Sequence, residues 1–335
     1  HNYSRVQKRA RMERNRMIIV YADSAMKDVR TLKPFSLEFA FGSDENDFEL
    51  QMPYSAPRLY PFCYVYIDGT ELGGMITDVK NDLENKRLVY HGYTWQGLLE
   101  HKILEPDSGE DYLTVSGEVN TVLGTLISRI GLSELMSVDS ASTGLVITNY
   151  QFNRYVDAYE GLRSMLNTLG LTLSIVCTAG KVLVGAIPIK TMSEKATTET
   201  FSQPVNHLIC LGKGDLAQRI VVHLYADAKG NVSQTRTFSG VKERTETYDY
   251  SNAERDKLLE DGTKRLQKLQ VFENAKLAEI ANDNYSIDDK ITSYDSVTDI
   301  SLTVPIEKKI VSIDYRGKLE TEYKAGTEII KRGEA

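Results

Sequence analysis

Residues 204–232 read PVNHLICLGKGDLAQRIVVHLYADAKGNV, and the spacing of their apolar positions decides the class of fold. Residues 208–211 are a short apolar run that ends at Gly212-Lys213-Gly214-Asp215, a turn signal. From residue 219 to 227, Ile220, Val222, Leu224 and Ala226 alternate with Val221, His223 and Tyr225. A period of two sends successive side chains to opposite sides of the backbone, so the segment predicts a strand with two distinct faces. Ala228-Lys229-Gly230-Asn231 supplies the next reversal, because Gly and Asn tolerate positive φ, and residues 232–238 predict a further extended segment. The stretch reads as scaffold.

The same pattern extends outward in both directions. Residues 17–21, 36–41, 47–52, 62–67, 72–80 and 87–93 predict strands, broken at Asp68-Gly69 and by the polar residues 81–86. A series of this kind predicts a small barrel or sandwich. Thr94 is placed to cap a short helix over residues 95–101 that lays Trp95, Leu98 and Leu99 on the sheet. From residue 103 the period changes. Ser116 is the expected cap of a helix reaching Ile130, with Val119, Val122, Leu123, Leu126 and Ile127 on one face and Gly131 at its exit. Asp157 and Glu160 stand in capping-box positions for a second helix with Tyr159, Leu162, Leu166 and Leu169 as its buried stripe and Gly170 as its stop. A hairpin over residues 171–177 and 181–187, turning at Thr178-Ala179-Gly180, completes an α+β segment.

Beyond residue 201 strands dominate again, interrupted by a helix over residues 253–269 with Ser251 and Glu254 as a capping box and Leu258, Leu259, Leu266 and Leu269 buried. Glu260–Lys264 and Asp261–Arg265 are expected ion pairs on its wet side. Residues 272–280, 301–304, 309–315 and 318–323 predict the closing strands. The domain plan is therefore a basic N-terminal arm over residues 1–16, a first β domain at 17–102, an inserted α+β domain at 103–196 and a second β domain at 197–335.

A chain of 335 residues exceeds the usual single-domain size, and its 41% hydrophobic and 26% charged content suits a globular protein with a sizeable core. No apolar run approaches the ~20 residues that span a bilayer, and no leader pattern opens the sequence, so a cytosol-like compartment without membrane anchoring is expected. Cys63, Cys177 and Cys210 lie in apolar strand patterns, which predicts buried free thiols. Arg5, Lys8, Arg9, Arg11, Arg14 and Arg16 against Glu13 make the arm +5, so the body carries −12 of the net −7. An acidic body argues against nonspecific nucleic-acid binding. Three readings of the arm stand open: a terminus without fixed structure, a leader foreign to the natural chain, and an arm that docks on an acidic neighbour.

Three segments carry a family likeness: WQGLLEHKILEP at 95–106, DYLTVSGEVNTVL at 111–123 and VNHLICLGKGDLAQRIVVHLYADAKGNVSQ at 205–234. With them the chain resembles, from about Phe48 to Gly326, the tail hub or baseplate hub proteins of bacteriophages and prophages. The resemblance implies a β-rich α+β fold with two similar antiparallel β-barrel domains and an inserted α+β domain. It implies a homotrimer whose six barrels ring the tail tip, a site in the virion tail or baseplate, and assembly in the bacterial host cytoplasm. The implied partners are the tail tube or distal tail protein, the tape-measure protein, and a spike or fibre. A faint likeness of rhythm between residues 75–93 and 309–323 agrees with paired barrels.

The search for chemistry yields no catalytic, cofactor-binding or metal-ligating residues to assign. HExxH, GxSxG, Walker A and paired CxxC patterns are all missing, and Gly212-Lys213-Gly214 lacks the five-residue spacing and the helix of a phosphate loop. His1, His91, His101, His207 and His223 have no metal-ligand spacing. The acidic groups Asp44, Glu45, Asp47, Glu49 and Asp283, Asp288, Asp289 do not match a calcium loop. A structural, non-enzymatic protein is expected. The alternative is a tail-associated peptidase or cell-wall hydrolase, for which a lytic domain is expected beyond the hub region, and a third reading is the hub of a contractile injection or secretion machine.

Overall fold

In the strand Asp47–Pro53 every second residue, Phe48, Leu50 and Met52, is buried, while Asp47 and Pro53 face solvent. This alternation recurs through a computed structural model that describes residues 18–42, 45–193, 196–198, 205–228, 230–269, 275–277, 285–295, 300–325 and 330–332. The chain forms two compact units. One holds the described residues up to Ile189 together with Glu307–Lys324, and the other holds Lys190–Ile306 and the described residues from Ala325 onward.

The first unit is built on β1 (Ile19–Ala22), β2 (Asp28–Leu32), β3 (Ser36–Gly42), β4 (Asp47–Pro53), β5 (Tyr64–Ile67), β6 (Gly73–Asp82) and β7 (Arg87–Thr94). They pair antiparallel in the order β3-β4-β7-β6-β5-β1-β2, and among the described residues this path is open. The C-terminal part of the long strand Ile300–Asp314 adds to β3, with Lys308 opposite Gly42 and Asp314 opposite Ser36. β2 was not expected from the sequence. The other six strands agree with expectation to within two residues at their ends.

Helix α1 (Trp95–Glu100) begins where expected, with the Thr94 hydroxyl accepting from Gly97 N–H at 3.2 Å. Helix α2 (Val119–Arg129) starts later than expected, because its cap is Glu118, which accepts from Thr121 N–H at 3.0 Å. Ser116 instead accepts from Asn149 N–H across the strand pair that precedes the helix. Helix α3 (Ala158–Asn167) has Asp157 as its cap, accepting from Glu160 N–H at 2.8 Å. The hairpin Leu171–Thr178 and Lys181–Pro188 turns through Ala179 and Gly180, both at positive φ, as the sequence predicts. One apolar cluster gathers Tyr64, Tyr66, Trp95, Leu99, Leu123, Leu162, Ile175 and Val184, so the helices and hairpin of this segment pack on β1–β7 through side chains that alternate as read.

In the second unit the strands Val232–Ser233, Val221–Ala226, His207–Leu211 and Thr245–Asp249 lie side by side in that order. His207–Leu211 and Val221–Ala226 are antiparallel, with Cys210 opposite Val222, but Thr245–Asp249 runs parallel to His207–Leu211. The expectation of purely antiparallel pairing fails there, because the connection after Ala226 is long enough to cross over the His207 strand before it returns. The expected extended segment after residue 232 is confined to Val232–Ser233. One face of this sheet receives helix α4 (Arg255–Leu269), whose Leu258 and Leu266 are buried against Leu208, Cys210, Val222 and Leu224. The expected Ser251–Glu254 box does not form, since the Glu254 carboxylate takes Lys213 at 2.6 Å. Glu260 pairs with Lys264 at 2.7 Å as expected, whereas Asp261 pairs backward with Lys257 at 3.1 Å.

The strand expected at residues 272–280 is described only at Ala275–Leu277. The two strands expected at 301–304 and 309–315 are one continuous strand, Ile300–Asp314. All three cysteines are buried free thiols, and burial pushes the Cys210 thiol up to about 11. Residues 1–16 lie outside the described residues.

Candidate functional site

On the sheet face of the second unit opposite α4, strand register brings two histidines together. His207 stands across from Tyr225 and Thr245, and Ile209 stands across from His223, so the two imidazoles are diagonal neighbours on one face. His207 Nε2 and His223 Nδ1 are 2.9 Å apart, and the Tyr225 ring stacks on His207 with centroids 4.4 Å apart. The other nitrogen of His207, Nδ1, faces the Thr245 hydroxyl at 2.9 Å and Glu243 Oε1 at 3.4 Å. Arg236 holds both oxygens of Glu243, at 2.9 and 2.5 Å.

These contacts fix a proton arrangement. Glu243, an acceptor only, favours a hydrogen on His207 Nδ1, which makes Nε2 the acceptor of the His223 Nδ1–H. His223 Nε2 then remains as a lone pair at an exposed ring. The row carboxylate–imidazole–imidazole resembles a relay, but the hydroxyl within reach, Thr245, bonds the nitrogen that faces Glu243 and is in no position to act as the attacking group. The cluster therefore braces three strands. A second proton on His207 goes to Nε2, which breaks the bond to His223 unless His223 moves its own hydrogen from Nδ1 to Nε2.

Burial lowers the His207 pKa below 6.5; the Glu243 charge opposes this, while His223 and Arg236 add to it. The unfolded chain takes up a proton as pH falls through 6.5, and the folded chain resists it. Stability from this group is thus full above pH 6.5 and declines below it. We expect the second unit of the wild type to lose melting temperature between pH 7 and 5, and His207→Gln, which keeps hydrogen bonding but does not titrate, to flatten that decline. Scanning calorimetry across this pH range checks it; parallel profiles for the two proteins count against the brace.

The acidic residues singled out in the sequence have other tasks. Asp289, 1% exposed, accepts from Lys190 N–H and Ser286 N–H, both at 2.8 Å, and pins two backbone segments. Asp288 sits beside it at φ 75, Glu45 pairs with Lys308, and Asp44 and Asp283 lie outside the described residues. His91 faces Glu49 at 4.0 Å, and His101 closes α1 with its ring 3.9 Å from that of Tyr93. Gly212–Asp215 is a turn leading to Leu216, which is 96% exposed. Among the described residues no group of three or more His, Cys, Asp or Glu side chains is placed to hold a metal ion, and no helix is long and apolar enough to cross a membrane. Sequence reasoning missed the histidine pair because the nine residues between the two strands hide their register.

No protein-family model matches the chain, and no curated protein does. Solved structures to which it is similar over more than nine tenths of its length include phage and prophage tail proteins. They include the tail protein from Neisseria meningitidis MC58, 13% identical over 93% of this chain and 96% of that one, with a TM-score of 0.48. The prophage tail protein gp18 from Listeria monocytogenes EGD-e is 11% identical over 95% and 94%, at 0.49. The 43 kDa tail protein of prophage MuSo2 from Shewanella oneidensis is 13% identical over 94% and 98%, also at 0.49.

Proposed function

We propose that this chain is a structural tail protein, a homotrimeric hub at the tail tip that joins the tube or distal tail protein to a spike or fibre. The observation that carries this reading is where the family likeness falls. Its three segments contain Trp95, Leu99, Leu104, Val119, Leu123, Leu208, Cys210, Val222 and Leu224, all of them core residues of the two units. The likeness is to a scaffold, and the polar cluster around His207, which begins within it, ties strands together.

In this reading the division at residues 102, 196 and 335 separates two barrel-like β domains from an inserted α+β domain, and each chain contributes two of six similar modules to a ring. Three copies then convert the sixfold repeat of a tube into the threefold repeat of a tip, which is a task of shape and symmetry. Catalysis has no part in it. Light scattering combined with negative-stain imaging of the purified chain is expected to show a three-subunit annulus. A particle of one chain at every concentration, or peptidoglycan turnover abolished by one carboxylate or histidine change, overturns the proposal.

A further inference from the structure

The outward face of β3, β4 and β7 lies open to solvent, with Glu38 and Asp47 exposed and the Glu49 side chain 43% exposed. Its acids outnumber its bases. Glu38 and Glu49 stand directly across from each other in the β3–β4 register, and like charges so placed weaken a sheet. Glu38 accepts from the Ser312 hydroxyl at 2.9 Å, an uncharged partner, and Glu49 faces the His91 ring at 4.0 Å. At the β3–β4 turn Glu45 pairs with Lys308, while Asn46 Nδ2 donates to Glu100 at 3.2 Å and brings a further carboxylate there. Against Glu38, Glu45, Asp47, Glu49 and Glu100 stand Lys308 and His91, so this end is acidic even with the His91 ring counted as charged. Burial, and then the Glu45 charge, hold the Asp47 carboxyl above its ordinary range although His91 and Lys308 pull the other way. Farther along the face the charges balance: Asp78 and Lys80 share β6, and Arg87 stands beside Asp82 in the β6–β7 ladder.

The opposite sign is carried by the same chain. Residues 1–16 hold Arg5, Lys8, Arg9, Arg11, Arg14 and Arg16 against Glu13, and they lead into β1 of the same sheet. Asp47, Tyr93, Met75, Tyr64 and Ala22 form one row across β4, β7, β6, β5 and β1. Four gaps of ~4.8 Å make the row roughly 19 Å long, and Ile19 stands about 10 Å from Ala22 along β1. Sixteen residues reach ~50 Å at full extension. The arm is therefore long enough to bring Arg5, Lys8 and Arg9 to the acids, and the tether holds them there at an effective concentration on the order of millimolar.

We propose that residues 1–16 dock on the outward β3–β4–β7 face of their own chain, where their cations offset the repulsion among Glu38, Asp47 and Glu49. The contact does not depend on the ring reading. Its hold is one of charge, strong at ~10 mM salt and lost near 1 M, where the screening length falls to ~3 Å. Lys8 is the one lysine of the arm, so a carbodiimide, which joins an amine to a carboxylate without a spacer, maps its position by mass spectrometry. On the full chain at low salt, Lys8 is expected to be joined to Glu38, Asp47 or Glu49 in the band of a single chain, and the product to vanish near 1 M. Melting temperature gives a second reading. Removal of residues 1–16 should lower it by about 2–4 °C at low salt in the wild type, and leave it unchanged in E38Q/E49Q, where the repulsion is already gone. Lys8 joined to other carboxylates, or to this face only in bands of two or more chains, overturns the docking. So does a loss on truncation that persists in E38Q/E49Q, or a chain that gives neither joined peptide nor loss.

Discussion

Replacing Trp95 by alanine lowers the free energy of unfolding by about 3–5 kcal/mol. Trp95 is fully buried, stacks on Tyr64 at 5.9 Å, and lies so close to β6 that a Cβ on Gly73 would come within 2.7 Å of its ring. It is the first residue of α1, and it belongs to the cluster that joins β5 to α2, α3 and the Leu171–Pro188 hairpin. The hole left by alanine opens at the centre of the first unit, where surrounding strands are held by their ladders and cannot close in. A second variant sharpens the test. The Trp95 Nε1–H finds no hydrogen-bond partner among the described residues, and an unmade buried bond costs about 1–3 kcal/mol. Trp95→Phe removes that cost together with part of the ring, so it should lose much less than Trp95→Ala. Urea unfolding followed by far-ultraviolet circular dichroism measures both; equal losses would place the ring outside the packed centre.

The second large effect is expected at Gly262. α4 lies close against its sheet because position 262 has no side chain: a Cβ there would stand 2.5 Å from Cys210 Sγ and 2.9 Å from Leu224 Cδ1. Gly262→Leu has no space to fill without displacing the helix, and overpacking of this kind costs about 3 kcal/mol, the upper end of its usual range. The eight buried residues of the second core, from Leu208 to Leu266, lose their cover together. The chain has a single tryptophan, and it lies in the first unit. Its emission is therefore expected to be unchanged at room temperature in Gly262→Leu, while dichroism shows an earlier transition. Gly262→Ala is the milder case, where the better helix propensity of alanine opposes the clash. Adding Cys210→Ala to it should recover stability beyond the sum of the single changes; strict additivity would show that the two positions do not press on each other.

These two positions show what was readable beforehand. Trp95 and its Thr94 cap were legible because a polar residue that accepts a hydrogen bond, followed by apolar residues at helical spacing, has few other uses. The Leu171–Pro188 hairpin was legible for a similar reason, with alternation on both arms and Gly180 at the turn. β2, with the sequence DVRTL, was not, because Leu32 is its one buried residue and it becomes a strand by pairing with β1. The long strand reads from the sequence as two, at 301–304 and 309–315, and Pro305 follows directly on the first. It is absorbed at the end of the ladder with Lys290–Asp295, ahead of the ladder with β3, where its missing N–H is tolerated. Glu118 displaced Ser116 as a cap because a carboxylate reaches Thr121 and also Thr143, a partner distant in sequence. The histidine brace depends on register and on Glu243 and Arg236, which no local spacing connects to His207.

The long strand Ile300–Asp314 has a further consequence, for birth on the ribosome. β3 and β4 emerge early, yet the segment that covers the free edge of β3 is made only after nearly the whole second unit. At ~5–20 residues per second the wait is on the order of ten seconds. During that interval an apolar strand carrying Leu37, Phe39 and Phe41 offers unpaired backbone groups to any passing nascent chain. The step most exposed to aggregation is therefore synthesis itself, and slower translation at a fixed temperature, which lengthens the wait, should lower the soluble yield.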